Sequence, residues 1–466
     1  MVEIHDLSAL EQGQQISAGH LSPREVAAHY LDRIQRLDNV GGFITVTAER
    51  SLAAAEALGA PSPGAGPLWG VPTGIKDLNL TAGVRTTFGS AAFADFVPDV
   101  SDNVTLSLEA VGMVSLGKTN TPEFGSPCYT EPDVAPAAVT PWDRRRGAGG
   151  SSGGAAASVA AGLLPVAPGS DGGGSIRIPA STCGLVGFKP SRGVVSGSPM
   201  YGDPIGLASA GSIARTVGDA AALLDVLAGR RVGDPYWAPV EATSFLHAAG
   251  QRPRRLRVAR FIEPVIAEVV PEPVVVDAWE AASRLLVSLG HEVVDVPVPL
   301  PPEAVATFET CWAVLTALSV VPPEREPLIR PLTRWLSERG RSVSGPEFGL
   351  AIGQLRRYAA HALTALEPYD LVLTPTLAQI PALVGALRDD GDPARDFALQ
   401  KAFTPWTSAW NVTGMPAVSL PLHWSPEGLP VGVMLAAAPG QDRLLVAVSA
   451  QIEEAVGGFT RRAPGW

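Results

Sequence analysis

Two short glycine–serine runs, GAGGSSGG at residues 147–154 and GSDGGGSIRIP at 169–179, carry the residue types that acyl-transfer chemistry needs. Backbone N–H groups stabilise an oxyanion only when they come close to the carbonyl, and consecutive glycines permit that approach. The stretch Gly172-Gly173-Gly174-Ser175 offers such donors and a hydroxyl nucleophile in one loop. Two other readings compete. Flexible linkers would be out of place here, because both runs are short and flanked by apolar elements. A phosphate-binding loop would need GK[ST] after the glycines, or an acidic residue about twenty positions on in a second strand; neither pattern is present.

A serine hydroxyl is a weak nucleophile until a base removes its proton. The seven histidines (His5, His20, His29, His247, His291, His361 and His423) fall in helix-like or surface-like stretches, away from the glycine turns. No GxSxG elbow occurs. A serine–lysine system remains. Lys76 follows the apolar run 71–75, so it is expected to end a buried strand, where desolvation would lower its pKa. Lys118 and Lys189 are similarly placed, and an ordinary Lys76–Asp77 ion pair is equally compatible with the local sequence.

The elements that must position these residues alternate. Ser22-Pro23-Arg24-Glu25 is a capping-box start, followed by Val26, Tyr30, Ile34 and Leu37 at helical spacing. A short helix is expected at 53–58 and a Pro/Gly loop at 61–74. From 70 to 229, short apolar runs and Gly-rich turns alternate with helical patterns at 103–111, 154–161 and 217–228, which indicates an α/β fold with a mostly parallel or mixed sheet. Strands are expected at 256–259, 292–296, 369–376 and 415–422, and helices at 275–289, 301–365 and 443–455. The weakest join is 229–249, though later strands could return to the first sheet.

The chain has 466 residues, 17% charged, with a formal net charge of -11, which argues against non-specific nucleic-acid binding. The triplet Arg144-Arg145-Arg146 reads as a solvated loop. Three cysteines, Cys128, Cys183 and Cys311, give no disulfide framework or zinc spacing, and the polar N-terminus lacks a secretory pattern; a cytoplasmic, non-membrane protein is expected.

The segments GPLWGVPTGIKD, LGKTNTPEFG, GGSSGG, GSDGGGSIRIPASTCGLVGFKPSRG and YDLVLTPT, in this order, resemble the amidase signature family. The resemblance implies one large α/β/α domain over 1–466 around a mixed, twisted central sheet. Within it, 1–65 would be N-terminal helices, 66–229 the catalytic motifs, 230–400 a variable substrate-side region and 401–466 a return to the core. It implies a Ser-cisSer-Lys triad: Lys76 as base, Ser151 after a cis Gly150–Ser151 bond as proton bridge, and Ser175 as nucleophile. The oxyanion hole would come from Gly172, Gly173, Gly174 and the Ser175 N–H, supported by Ser152, Asp171 and Arg177. No metal or cofactor is implied. The implied activity is hydrolysis of a small-molecule amide, with esters or carbamates as further substrates, by a monomer or homodimer. The segment FTPWTSAWNVTGMPAVSLP at 403–421 departs from the TxPANLAGLPA-like stretch of the family's glutamine-hydrolysing amidotransferase subunit. That subunit, or a non-catalytic partner, is the alternative. Trp406 and Trp410 favour a bulky or apolar amide, as in nylon-oligomer or aryl amide hydrolases. Cys128, Tyr129, Cys311 and Trp312 are further expected substrate contacts.

Overall fold

The structure is a computed structural model that describes residues 3–61, 64–200, 202–239 and 243–466. Residues 62–63 of the expected Pro/Gly loop and 240–242 of the weak join lie outside the described residues. Eleven strands form among the described residues: β1 (Phe43–Val46), β2 (Pro72–Lys76), β3 (Val114–Thr119), β4 (Val166–Asp171), β5 (Val186–Lys189), β6 (Ser209–Ala214), β7 (Arg257–Arg260), β8 (Glu292–Asp295), β9 (Leu371–Pro375), β10 (Ala417–Trp424) and β11 (Pro430–Ala437). Eight of them make a mixed sheet in the order β4-β6-β5-β10-β11-β9-β7-β8. Pairing is antiparallel from β4 to β9 and parallel among β9, β7 and β8. Strands β7 and β8, from beyond the weak join, thus enter the same sheet through β9.

The mixed α/β fold and its large mixed sheet agree with the expectation from the sequence. β1, β3 and β2 make a separate three-stranded sheet. Backbone pairing stops between β2 and β4, where side chains supply the donors instead. Thr73 Oγ1 donates to Val166 O at 3.0 Å, and Lys76 Nζ lies 3.4 Å from Ser170 O. The seam between the sheets therefore runs through the lysine singled out above.

Local sequence explains the supporting helices. The helix Pro23–Leu37 starts with Pro at its first position; Ser22 Oγ accepts from the Glu25 N–H at 3.1 Å, and Glu25 accepts from the Ser22 N–H at 2.8 Å. Val26, Ala27, Tyr30 and Ile34 form its buried face. The helix Gly153–Ala160 is buried along its whole length. It is built of small residues because its neighbours are close: a Cβ on Gly154 would meet Asn120 N at 2.3 Å and Gly42 O at 2.5 Å. No described helix is long and apolar enough to cross a membrane.

The seam gives the first test. Thr73→Val preserves shape and removes only the hydroxyl donor to Val166. Chemical denaturation should show a loss of about 0.5–1.5 kcal/mol, the net worth of one hydrogen bond. An unchanged midpoint would mean that this bond does not hold the sheets together.

Candidate active site

Lys76 ends β2 and is fully buried. Burying an amine is tolerable only where oxygen acceptors surround it. Three hydroxyls do so: Ser151 Oγ at 2.8 Å, Ser152 Oγ at 2.9 Å and Ser170 Oγ at 3.0 Å from Nζ. Ser170 belongs to the quoted GSDGGGS motif, yet the sequence reading assigned it no role. Burial pulls the Lys76 pKa down to about 7, and the Asp171 carboxylate opposes that fall. The amine is therefore partly neutral near neutral pH.

Geometry separates the three similar lysines. Asp77 pairs with Lys118 at 3.6 Å, not with its sequence neighbour Lys76. Lys118 also donates to Asn79 O at 2.6 Å and Thr86 Oγ1 at 2.7 Å. Burial lowers its pKa to about 8. Lys189 donates to Pro190 O at 3.0 Å, and burial brings its pKa to about 7. Of the three, only Lys76 touches the serines of the glycine runs.

The hydroxyls around Lys76 are not equivalent. Ser152 Oγ accepts from the Ser170 N–H and donates to Ser170 O, both at 3.3 Å. Ser151 follows a cis Gly150–Ser151 peptide, and its hydroxyl contacts Lys76. Among the described residues, the Ser151 hydroxyl has no acceptor for its own proton other than Lys76 Nζ. The Ser152 N–H donates to Ser175 O at 3.1 Å, which locks the two serine loops together. Each loop runs into a helix N-terminus, at Gly153 and at Arg177, where partial positive charge favours a developing anion.

A buried ion pair shapes the Ser175 loop. Arg177 grips Asp171 with two hydrogen bonds, Nε to Oδ2 at 2.9 Å and Nη2 to Oδ1 at 2.8 Å. Burial alone would raise the Asp171 carboxyl, but Arg177, Lys189 and Asn411 hold it well below the usual carboxylate range. Asn411 Nδ2 donates to Asp171 O at 2.8 Å and to Oδ1 at 2.9 Å, and Asn411 Oδ1 accepts from Arg177 at 2.8 Å. Thr407 Oγ1 donates to Gly173 O at 2.6 Å. Neither Asn411 nor Thr407 is expected from the sequence, because nothing local to their segment marks a polar side chain as partner of a loop over two hundred residues away.

These bonds correct the expected oxyanion hole. The Gly174 N–H donates to Asp171 Oδ1 at 2.8 Å, so it serves the ion pair and is not free for a substrate. Gly174 has φ +130, and a Cβ there would meet Thr407 Oγ1 at 2.5 Å. Among the described residues, the N–H groups of Gly172, Gly173 and Ser175 have no acceptor.

Ser175 lines two adjoining cavities. One, of about 60 Å³, is walled by Cys128, Ile178, Phe308, Trp312 and Phe397. The other, of about 180 Å³, is walled by Ser151, Leu78, Phe124, Leu207 and Trp312. Trp312 borders both. The expectation that Trp406 and Trp410 line the pocket is overturned. Both indoles pack in an apolar cluster with Phe261, Met415 and Met434, and Trp406 Nε1 donates to Glu263 O at 3.1 Å. The same segment turns Thr407 toward Gly173 and Asn411 toward Asp171, which directs the two tryptophans away. Tyr129 does not line either cavity; its hydroxyl donates to Asp396 Oδ2 at 2.6 Å. Cys311 packs behind Trp312 beside Ile205 and Leu355.

Away from this site, Glu3, His5 and His29 form the one potential metal-ligand group among the described residues. Arg33 Nη1 lies 3.0 Å from His5 Nε2 and His29 Nε2 lies 3.1 Å from His5 Nδ1, so both ring nitrogens of His5 already have partners.

The amidase family model matches residues 25–446. A 6-aminohexanoate-cyclic-dimer hydrolase from Paenarthrobacter ureafaciens is 33% identical, covering 97% of this chain and 96% of the relative. The solved structure of a 6-aminohexanoate cyclic dimer hydrolase with its substrate superimposes with TM-score 0.91 at 32% identity, over 99% of both chains. A bacterial aryl acylamidase structure follows with TM-score 0.86 and 28% identity, over 97% of this chain and 96% of that one.

A lysine whose pKa is lowered on folding destabilises the native state while both states are protonated. The unfolded chain holds the proton up to its model value of 10.5, the native one only to about 7, so native stability grows relative to a non-titrating variant between those limits. Lys76→Met should therefore be more stable than the parent, most clearly below pH 7, with the advantage shrinking as pH rises toward 10.5. Paired denaturation curves across that range measure it; a pH-independent difference would refute the lowered pKa.

Proposed function

The chain belongs to the amidase family and hydrolyses amide carbon–nitrogen bonds, and within that activity we propose that Ser175 is the nucleophile of a Ser175–Ser151–Lys76 relay acting on an apolar amide. The observation that carries this reading is the 2.8 Å contact from Lys76 Nζ to Ser151 Oγ, in a cavity wall that Ser175 shares. Neutral Lys76 takes the Ser151 proton as Ser151 takes that of Ser175. Ser175 Oγ then attacks the carbonyl carbon. The free N–H groups of Gly172, Gly173 and Ser175 are the donors available to the oxyanion. The proton returns from Lys76 through Ser151 to the departing nitrogen, leaving an acyl-enzyme on Ser175. Water repeats the path and releases the acid.

The relay also assigns sides to the cleft. The leaving nitrogen must meet Ser151, and of these two cavities Ser151 borders the one of about 180 Å³. The amine portion belongs there. The acyl portion belongs in the cavity lined by Phe308, Trp312 and Phe397. An apolar acyl group suits that lining, in keeping with the similarity to the cyclic-dimer hydrolase. Activated esters and carbamates present the same carbonyl to the same groups.

Ser175→Ala should remove turnover of aryl anilides, by about a millionfold for a nucleophile acting within a unit, while circular dichroism is unchanged. A fluorophosphonate should label the parent at Ser175. Activity above about one percent in the variant, or labelling elsewhere, would overturn the assignment. A panel of anilides, fatty amides, oligoamides, carbamates and glutamine would identify the preferred substrate.

The parent rate should rise as pH passes through about 7, where Lys76 becomes neutral, and then level off. An amine leaves only when protonated, whereas a nitrophenolate leaves as its anion. Ser151→Ala should accordingly harm an anilide more than the matched nitrophenyl ester, by up to the roughly hundred- to ten-thousandfold that general acid catalysis supplies. Equal losses would remove Ser151 from the leaving-group step.

A further inference from the structure

Among the described residues, the acyl-side cavity contains one charged feature that the relay leaves unused. Glu309 and Lys401 are the charged side chains among the described residues of its wall, and their ion pair is 2.6 Å long. They come from different helices, Glu303–Ala317 and Pro393–Phe403. Their side chains retain 21% and 26% exposure. Two neutral polar neighbours on the wall, Gln400 and Thr404, are committed, whereas Ser126 Oγ, also on the wall, has no partner among the described residues. Gln400 Oε1 accepts from the Cys128 N–H at 2.9 Å, Gln400 Nε2 donates to Asp396, and Thr404 Oγ1 donates to Gln400 O at 2.9 Å.

An ammonium carries three donors and a carboxylate about four acceptor sites, so one mutual hydrogen bond leaves most of both unused. The pair as a whole is neutral. A substrate end carrying one charge would be attracted by one member and repelled by the other. An amide is matched on both counts: its C=O accepts from Lys401 while its N–H donates to Glu309. A plain hydrocarbon would desolvate the pair and return nothing. The wall also shares Ile266 and Val305 with a hollow of about 630 Å³, so a chain longer than the cavity has somewhere to continue.

Resting on the Ser175 reading above, we propose that the Glu309–Lys401 pair is a receptor for a second amide group, carried in the acyl part of the substrate. The preferred substrates are then diamides or oligoamides in which a second amide follows the scissile carbonyl through an apolar spacer.

The test is a binding measurement that needs no turnover. Calorimetry on the Ser175→Ala protein compares anilides whose acyl chains differ at one place: an internal amide, a methylene isostere, a terminal ammonium or a terminal carboxylate, over a series of spacer lengths. The internal amide should bind about tenfold tighter than its methylene isostere at the best spacer, as expected for hydrogen bonds to charged groups. Adding Glu309→Leu with Lys401→Met should bring the two ligands to nearly equal affinity, and Lys401→Met alone should give most of that loss. No amide preference at any spacer would overturn the proposal. So would a preference for the ammonium or carboxylate, or a preference that survives the double substitution. Failure of the Ser175 reading appears elsewhere, in anilide turnover and fluorophosphonate labelling of the parent.

Discussion

Holding an amine where water cannot reach it is the constraint around which this molecule is arranged. Lys76 has no exposed surface, so each of its bonding positions must be met by the protein. The oxygens come from the 151–152 loop and from the end of β4, and the lysine itself from the end of β2. The chain ends two strands at one point and runs a glycine loop between them to supply that shell. The small residues of the helix Gly153–Ala160 follow from the same need, since the serines before it reach the amine only if the helix sits tight against Gly42 and Asn120.

A second buried pair sets the other half of the site. Two charges taken out of water stabilise little overall, but removing either leaves the other uncompensated at a cost of about 3–5 kcal/mol. Asp171 and Arg177 form such a pair, and they bracket the Ser175 loop. Asp171 fixes the Gly174 and Ile176 N–H groups, which bends the loop so that neighbouring N–H groups stay unclaimed. The ion pair thereby shapes the donor set. Thr407 and Asn411, over two hundred residues away, hold the outer side of the same loop.

How much of this was legible depended on whether the signal was local. The helix Pro23–Leu37 announces itself through its cap and its apolar spacing. Lys76, Ser151, Ser175, Asp171 and Arg177 lie in segments whose glycines and order carry a family resemblance. β6 does not announce itself: SAGSIA is small and polar, yet it is a central strand because neighbours crowd it, and a Cβ on Gly211 would meet Phe188 O at 2.2 Å. β11 was passed over although its apolar run is buried at every position. Trp406 and Trp410 were misplaced because a large indole fits a core as well as a pocket, and only the turn at 404–411 decides which. The Glu309–Lys401 pair joins helices far apart in the sequence, so no spacing rule could reveal it.

The seam between the two sheets has a consequence for how such a protein can change. Lys76 is delivered by the three-stranded sheet, while Ser170 and Asp171 end the eight-stranded one, and no backbone ladder joins β2 to β4. In covalent terms the N-terminal portion looks like an exchangeable module. In working terms it is not, because the joint between the parts is made by a few polar side chains, Thr73 and those that hold the amine. A chimera that combined the first sheet of one homologue with the second sheet of another would inherit both scaffolds but not their alignment. Descent should therefore keep the two portions together, with diversity collecting at the helices bordering the cavity lined by Phe308, Trp312 and Phe397.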